Sequence, residues 1–130
     1  MCLLDSVQRW DEAAILCRAI SHTSVENPLR QHGRLHAVSG LEYAAQAMAV
    51  HARLTEPEDD SGPVLGFLAS ARDLKFHVER LDTAGTELSI EARQLTAGEQ
   101  GFIYEFDLRS GAKLLLSGRA TVMLQRRAKA

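Results

Sequence analysis

Cysteine, proline and aromatic residues are all scarce in this chain of 130 residues. Two cysteines, Cys2 and Cys17, are too few for a disulfide framework, and we expect two free thiols in a reducing compartment. Three prolines and nine glycines exclude a fibrous or low-complexity chain. An aromatic content of 5% argues against a stacking platform for single-stranded nucleic acid.

The chain also lacks an excess of charge and any long apolar run. Fifteen Lys and Arg against seventeen Asp and Glu give a net charge of −2, which argues against binding polyanions by bulk charge. The longest apolar run, residues 64–69, is far too short to cross a membrane. Asp5, Arg9 and Asp11 interrupt any signal-peptide pattern. We therefore expect one domain over residues 1–130, in the cytoplasm, with no membrane partner.

One segment has the periodicity of a helix, predicted over about residues 40–54. Its apolar residues fall on one stripe: Leu41, Ala44, Ala45, Met48, Ala49 and Ala52. Because most of these side chains are small, a neighbouring layer must approach the helix axis closely. The same pattern places His51 on the exposed face.

The rest of the pattern indicates strands. Residues 13–20 and 64–72 predict strands, the second of them buried, and the acidic stretch 55–63 between helix and strand predicts an exposed loop. Three later runs alternate apolar with polar residues: Leu88, Ile90 and Ala92; Phe102, Tyr104, Phe106 and Leu108; Leu114, Leu116, Ala120, Val122 and Leu124. The prediction is an α+β fold with one helix against an antiparallel sheet. One helix cannot cover every open edge, so we expect a symmetric dimer.

The candidate chemistry lies at the helix start. Glu42 falls in the first turn, where a carboxylate is favoured by the helix dipole, and Gln46 follows one turn later on the same face. His32 and His36 precede the helix, and one of them is a candidate general base. Two loop histidines and one glutamate are a weak metal signal, so we predict no metal. Neither a nucleophile elbow nor a phosphate-binding loop is present, and no cofactor is predicted.

The helix sequence Gly40-Leu41-Glu42-Tyr43-Ala44-Ala45-Gln46-Ala47-Met48-Ala49 resembles the central helix of the hot-dog 3-hydroxyacyl-[acyl carrier protein] dehydratases. In that family a Glu or Asp is followed four residues later by Gln. The resemblance extends to Leu3-Leu4-Asp5-Ser6-Val7, to Asn27-Pro28-Leu29-Arg30-Gln31-His32 and to Leu65-Gly66-Phe67-Leu68. It is strongest to the dehydratase-like proteins of aryl polyene gene clusters. The loop between His32 and Glu42 is shorter than in typical members, which leaves both His32 and His36 open as the catalytic histidine.

The resemblance implies a dimeric hot-dog fold, in which a curved antiparallel sheet wraps one long helix. It implies dehydration of 3-hydroxyacyl thioesters, with His32 or His36 as base and Glu42 as acid. It also implies a substrate site formed by Gly40, Gln46, Gly66, Phe67 and Leu68.

The implied partner is an acidic acyl carrier protein, docked by a basic rim that includes Arg30, Arg34, Arg72 or Lys75. The implied assembly is a homodimer or higher oligomer, or a hetero-oligomer with another hot-dog protein. Two alternatives stay open, namely a hot-dog acyl thioesterase and a catalytically weak, acyl-binding partner subunit.

Overall fold

The computed structural model describes residues 2–55, 64–98 and 101–126, and excludes the side chains of residues 64–66 and 124–126. Within these residues the elements are β1 (Ser6–Trp10), β2 (Ala14–Ala19), α1 (Gly40–Thr55), β3 (Val64–Phe76), β4 (Leu88–Ala97), β5 (Gly101–Ser110) and β6 (Lys113–Arg126). Two single 3₁₀ turns, Ser21–Thr23 and Ala37–Ser39, precede α1. The six described strands form one antiparallel sheet in the order β1-β2-β4-β5-β6-β3, and α1 packs against β2 to β6. The α+β prediction, with one helix on an antiparallel sheet, is confirmed.

The helix has the predicted bounds to within one residue, but its buried stripe is rotated. The buried positions are Gly40, Tyr43, Ala44, Ala47, Met48, His51 and Ala52, which recur at spacings of three and four. Three members of the predicted stripe, Leu41, Ala45 and Ala49, are only half-buried, and Leu41 packs against the margin of the core. They border the buried stripe on the side that leads to Glu42.

The prediction that His51 is exposed is wrong. Its side chain is fully buried, with Nδ1 2.6 Å from the Tyr104 hydroxyl and Nε2 2.8 Å from the Asp11 carbonyl oxygen. Burial of an imidazole costs little when both nitrogens have partners. A polar residue can therefore occupy a core position of the helix.

The predicted alternation of β4 and β5 matches the structure. Leu88, Ile90 and Ala92 are buried on β4, and Tyr104, Phe106 and Leu108 are buried on β5. On β6 a bulge between the pairs Leu108–Leu116 and Arg109–Leu114 adds one residue. It buries Leu115 beside Leu116 and leaves Leu114 half-buried, so the prediction fails at Leu114 alone among the described side chains of that run.

The two edge strands differ from the sequence predictions. β1 was not predicted, because all five of its residues are exposed and show no alternation. β3 was predicted to be buried, yet among the described strands it pairs only with β6, and its described side chains from residue 67 onward are exposed or half-buried. Its apolar residues thus lie on an open sheet edge rather than in the core of this chain. The acidic stretch between α1 and β3 lies outside the described residues, apart from Thr55.

Candidate active site

Glu42 lies in the first turn of α1, and its side chain is exposed. No hydrogen bond or ion pair joins it to His32, His36 or another described residue, so its carboxylate is accessible from solvent. Its position follows from the local sequence, since Tyr43 and Ala44 occupy the buried face and turn Glu42 outward.

Gly40 is buried where the helix begins, and the reason is packing against the sheet. A Cβ atom at this position would lie 2.7 Å from Leu116 Cδ2 and 3.0 Å from Leu108 Cδ2. The glycine therefore lets the first turn of α1 approach β5 and β6. Its predicted role toward substrate stays a prediction.

Gln46 belongs to a hydrogen-bonded chain that fixes the start of the helix. Its Oε1 accepts the Leu3 amide at 2.7 Å, and the Leu3 carbonyl accepts the Ser21 hydroxyl at 2.7 Å. Ser21 Oγ lies 2.8 Å from the buried Tyr43 hydroxyl, to which Asn27 Nδ2 donates at 3.1 Å. Burial raises the pKa of the Tyr43 hydroxyl, so it stays protonated at neutral pH. Gln46 therefore lies one turn beyond Glu42, and it also binds the N-terminal segment of the chain.

His32 occupies the tip of a two-residue hairpin turn. The Gln31 amide donates to the Arg34 carbonyl at 2.8 Å, and the Arg34 amide donates to the Gln31 carbonyl at 3.0 Å. Between them His32 and Gly33 have φ values of 52° and 76°, the left-handed pair that such a turn requires. The imidazole is exposed.

His36 lies at the other end of the same segment. Its backbone is extended, it bridges to Arg80, and its carbonyl accepts the Ser39 amide at 3.0 Å as the helical backbone begins. Its side chain is also exposed. The structure therefore brings both histidines to the segment directly preceding Glu42, but it joins neither imidazole to that carboxylate within the described residues.

The backbone of His32 gives a test that separates its turn from its imidazole. Asn adopts the left-handed conformation readily, whereas a β-branched residue does so at a cost of about 1–3 kcal/mol. We expect urea denaturation to give His32→Asn the stability of the parent protein within about 0.5 kcal/mol and His32→Val a clear loss. Equal stability of the two variants would contradict the left-handed turn.

Arg30 and Asp82 form the best-buried ion pair of this region, with side-chain exposures of 14% and 5% and Arg30 Nη1 3.7 Å from Asp82 Oδ2. Asp82 Oδ1 also accepts from Arg80 Nε at 3.0 Å and from the Leu35 amide at 3.1 Å. The hydrogen bond from Arg80 is the main cause that holds the pKa of the Asp82 carboxyl well below its usual range. Arg30, one of four alternatives predicted for a docking rim, is largely buried. The docking rim itself stays a prediction.

The pKa of Asp82 predicts a dependence of stability on pH. A carboxyl with a depressed pKa in the folded state stabilises the protein above its unfolded-state pKa, about 3.9, and loses that contribution as the pH falls toward the folded-state pKa. We expect urea midpoints to fall between pH 5 and pH 2, and to fall less steeply in Asp82→Asn, which starts from a lower midpoint at pH 7. Parallel slopes for the two proteins would contradict a stabilising, ionised Asp82.

The predicted substrate residues of β3 lie on the open sheet edge. Gly66, Phe67 and Leu68 pair with β6, Phe67 is half-exposed, and Leu68 packs against the edge of the core. The side-chain surroundings of Gly66 lie outside the described residues. The role of Gly66, Phe67 and Leu68 toward substrate stays a prediction.

The remaining reactive groups fit an acid–base site better than a nucleophilic one. Both cysteines are free, and burial raises the pKa of the Cys17 thiol to about 11, which keeps it protonated.

Among the described residues no group of three His, Cys, Asp or Glu side chains could hold a metal. No helix in the described ranges is long and apolar enough to cross a membrane.

Sequence reasoning missed the residues that support this site. The sequence pattern does not single out Asp82, although it meets Arg30 across 52 positions of sequence. Tyr43 likewise carries no sequence signal of its hydrogen bonds to Ser21 and Asn27. The Arg80-x-Asp82 spacing was the one local hint of an ion pair.

A central helix packed on a six-stranded antiparallel sheet is the architecture of a hot-dog fold. Comparison with protein families is more specific. The model of the ApeP-like family, described as ApeP dehydratase, matches residues 1–130, and the chain belongs to that family.

Solved structures agree on the fold. The dehydratase heterocomplex ApeI:P from Xenorhabdus doucetiae contains a chain that is 25% identical, with a TM-score of 0.80 over 95% of this chain and 83% of that one. A thioesterase from Haemophilus influenzae is 13% identical, with a TM-score of 0.65 over 92% and 77%. AziG of S. sahachiroi is 17% identical, with a TM-score of 0.66 over 94% and 91%. The last two show the fold alone, and a search of curated protein sequences gives no match.

Proposed function

We propose that this protein dehydrates 3-hydroxyacyl thioesters carried by acyl carrier protein and releases trans-2-enoyl thioesters. The observation that carries the proposal is the accessible Glu42 in the first turn of α1, directly after a segment that presents two accessible imidazoles. Membership of the ApeP-like dehydratase family supports the same reaction.

The chemistry requires one base and one acid. His32 or His36 takes the proton from C2, the electrons of that C–H bond form the C2=C3 double bond, and the C3–O bond breaks. Glu42 acts as the general acid and gives a proton to the departing hydroxyl, which leaves as water. Backbone N–H groups of the first helical turn stabilise the negative charge that develops on the thioester oxygen, because the helix dipole favours an anion there.

We further propose that a neighbouring chain completes the site. Among the strands that the structure describes, β3 has a neighbour on one side only, and its exposed Phe67 and Phe76 would pack against a partner strand. A homodimer and a hetero-oligomer with another hot-dog dehydratase both fit this edge, and the likeness to a chain of a dehydratase heterocomplex favours the second. In that arrangement an imidazole of one chain approaches Glu42 of the other.

The test is hydration of a short trans-2-enoyl thioester, followed as the loss of absorbance of the conjugated enoyl group. Carrier-bound and coenzyme A substrates are both assayed, with the protein alone and after co-expression with a second hot-dog dehydratase. We expect turnover with the carrier-bound substrate. Folded protein that turns over neither substrate, alone or in the complex, rejects the proposal.

A partner subunit without its own turnover is the second candidate. It is favoured by the absence of a hydrogen bond or ion pair between Glu42 and an imidazole among the described residues of this chain. In that case turnover appears only in the complex and survives substitution of Glu42. Release of free thiol in the same assay would instead indicate a thioesterase. A cytoplasmic location stays a prediction.

A further inference from the structure

The segment that carries His32 and His36 contains little regular structure, and a buried ion pair outside it holds it in place. Arg30 precedes the segment, and Asp82 lies beyond β3, in the connection to β4. Neither side chain faces the solvent to any large extent, with exposures of 14% and 5%. Two charges are retained in a poorly hydrated place only where their hydrogen bonds are satisfied.

Arg30 binds backbone carbonyls on both sides of its own position. Its Nη1 donates to the Gly33 carbonyl at 2.9 Å, in the turn that presents His32, and its Nε donates to the Ser24 carbonyl at 2.7 Å. Because guanidinium groups are planar and rigid, these bonds fix the turn relative to the preceding loop.

Asp82 holds the other end of the segment. Its Oδ1 accepts the amide of Leu35, the residue before His36, at 3.1 Å. The Leu81 amide donates to the Leu35 carbonyl at 2.7 Å, and the Ala37 amide donates to the Glu79 carbonyl at 2.9 Å. The carboxylate thus closes a short ladder that ties residues 35–37 to residues 79–81.

We propose that Arg30 and Asp82 are positioning residues, which fix the backbone of the histidine-bearing segment so that it presents its imidazole to the site, and thereby set the rate of the reaction. The rate effect rests on the proposed function. It does not depend on which imidazole is the base, because the pair fixes the turn of His32 through Gly33 and the backbone of His36 through Leu35.

The test uses the full-length protein, in whichever assembly turns over, with Asp82→Asn and Arg30→Gln. Two readouts are measured: kcat and KM for the carrier-bound enoyl thioester, and amide hydrogen exchange. We expect kcat to fall at least tenfold with KM within twofold of the parent value. We also expect exchange over residues 31–39 to quicken at least tenfold, while the amides of β4 and β5 keep their protection.

Glu12→Gln is the matched control, since Glu12 is an exposed carboxylate in the connection between β1 and β2, away from the histidine-bearing segment and from the β3 edge. It should change neither readout. If Asp82→Asn does not fold, Arg30→Gln carries the test, because it leaves the contact between Asp82 and Arg80 in place.

Three results would overturn the proposal: unchanged exchange over residues 31–39, faster exchange with kcat within twofold of the parent, or a loss confined to KM. A parent protein without turnover in any assembly is a different result, since it rejects the proposed function and the rate effect with it. The exchange data then still decide whether the ion pair holds the segment.

Discussion

Glu42→Gln is expected to abolish hydration of a short trans-2-enoyl thioester, with a loss in kcat of roughly 10²–10⁴-fold. A carboxamide can neither give nor take the proton that the C3 oxygen requires, although it has nearly the shape of the acid. Because Glu42 is exposed and makes no hydrogen bond to the described residues, the substitution should leave the thermal midpoint almost unchanged. The effect therefore belongs to chemistry and not to folding. Steady-state kinetics on the active assembly measures it.

Glu12→Gln is the control for this experiment. Glu12 is an exposed carboxylate in the connection between β1 and β2, away from α1 in sequence, and its neutralisation should not change kcat. Retention of more than a tenth of the parent activity in Glu42→Gln would remove Glu42 from the acid–base role. Measuring His32→Asn in the same assay distinguishes the two histidines, because this variant keeps the hairpin turn. Loss of its activity assigns the base to His32. Retention of its activity assigns the base to His36.

The parts of the fold that could be predicted are those that local patterns determine. Periodicity located α1 to within a residue, and alternation located the buried face of β4, because each depends on side chains a few positions apart. The strand 64–72 carried a clear apolar signal, but hydrophobicity does not say whether the covering layer belongs to the same chain. In this chain β3 is an edge strand, so its predicted burial failed.

Sequence reasoning proposes the candidate acid–base residues of the site, but it does not find the residues that hold them in place. Glu42, Gln46 and the two histidines follow from spacing and from resemblance to a family. Arg30, by contrast, has the sequence appearance of a surface cation, and only the fold brings it to Asp82. A single sequence does not indicate which residues pair when they lie about fifty positions apart. It likewise does not indicate the hydrogen bonds of Tyr43 to partners distant in sequence.

His51→Leu is the substitution with the largest expected effect on stability. The Asp11 carbonyl can only accept, so Nε2 of His51 donates to it, and we assign Nδ1 as the acceptor for the Tyr104 hydroxyl. Leucine fills the space but leaves both partners without the imidazole. Because buried polar groups that lose a partner keep their desolvation cost, we expect a loss of about 2–4 kcal/mol in urea denaturation and a fall of roughly 10 °C in the thermal midpoint.

A double-mutant cycle with Tyr104→Phe separates the hydrogen bond from simple loss of packing. Burial raises the pKa of Tyr104 to about 12, so its hydroxyl is protonated and donates to His51. In the double variant neither partner is left unsatisfied at that bond, and the total loss should be smaller than the sum of the single losses by about 1 kcal/mol or more. The same change at exposed His77 should stay within about 0.5 kcal/mol of the parent. If His51→Leu is as stable as His77→Leu, the buried and hydrogen-bonded position of His51 is contradicted. The exposed position that the helical pattern alone predicts would then stand, and His51 would not connect α1 to β5 and to the β1–β2 connection.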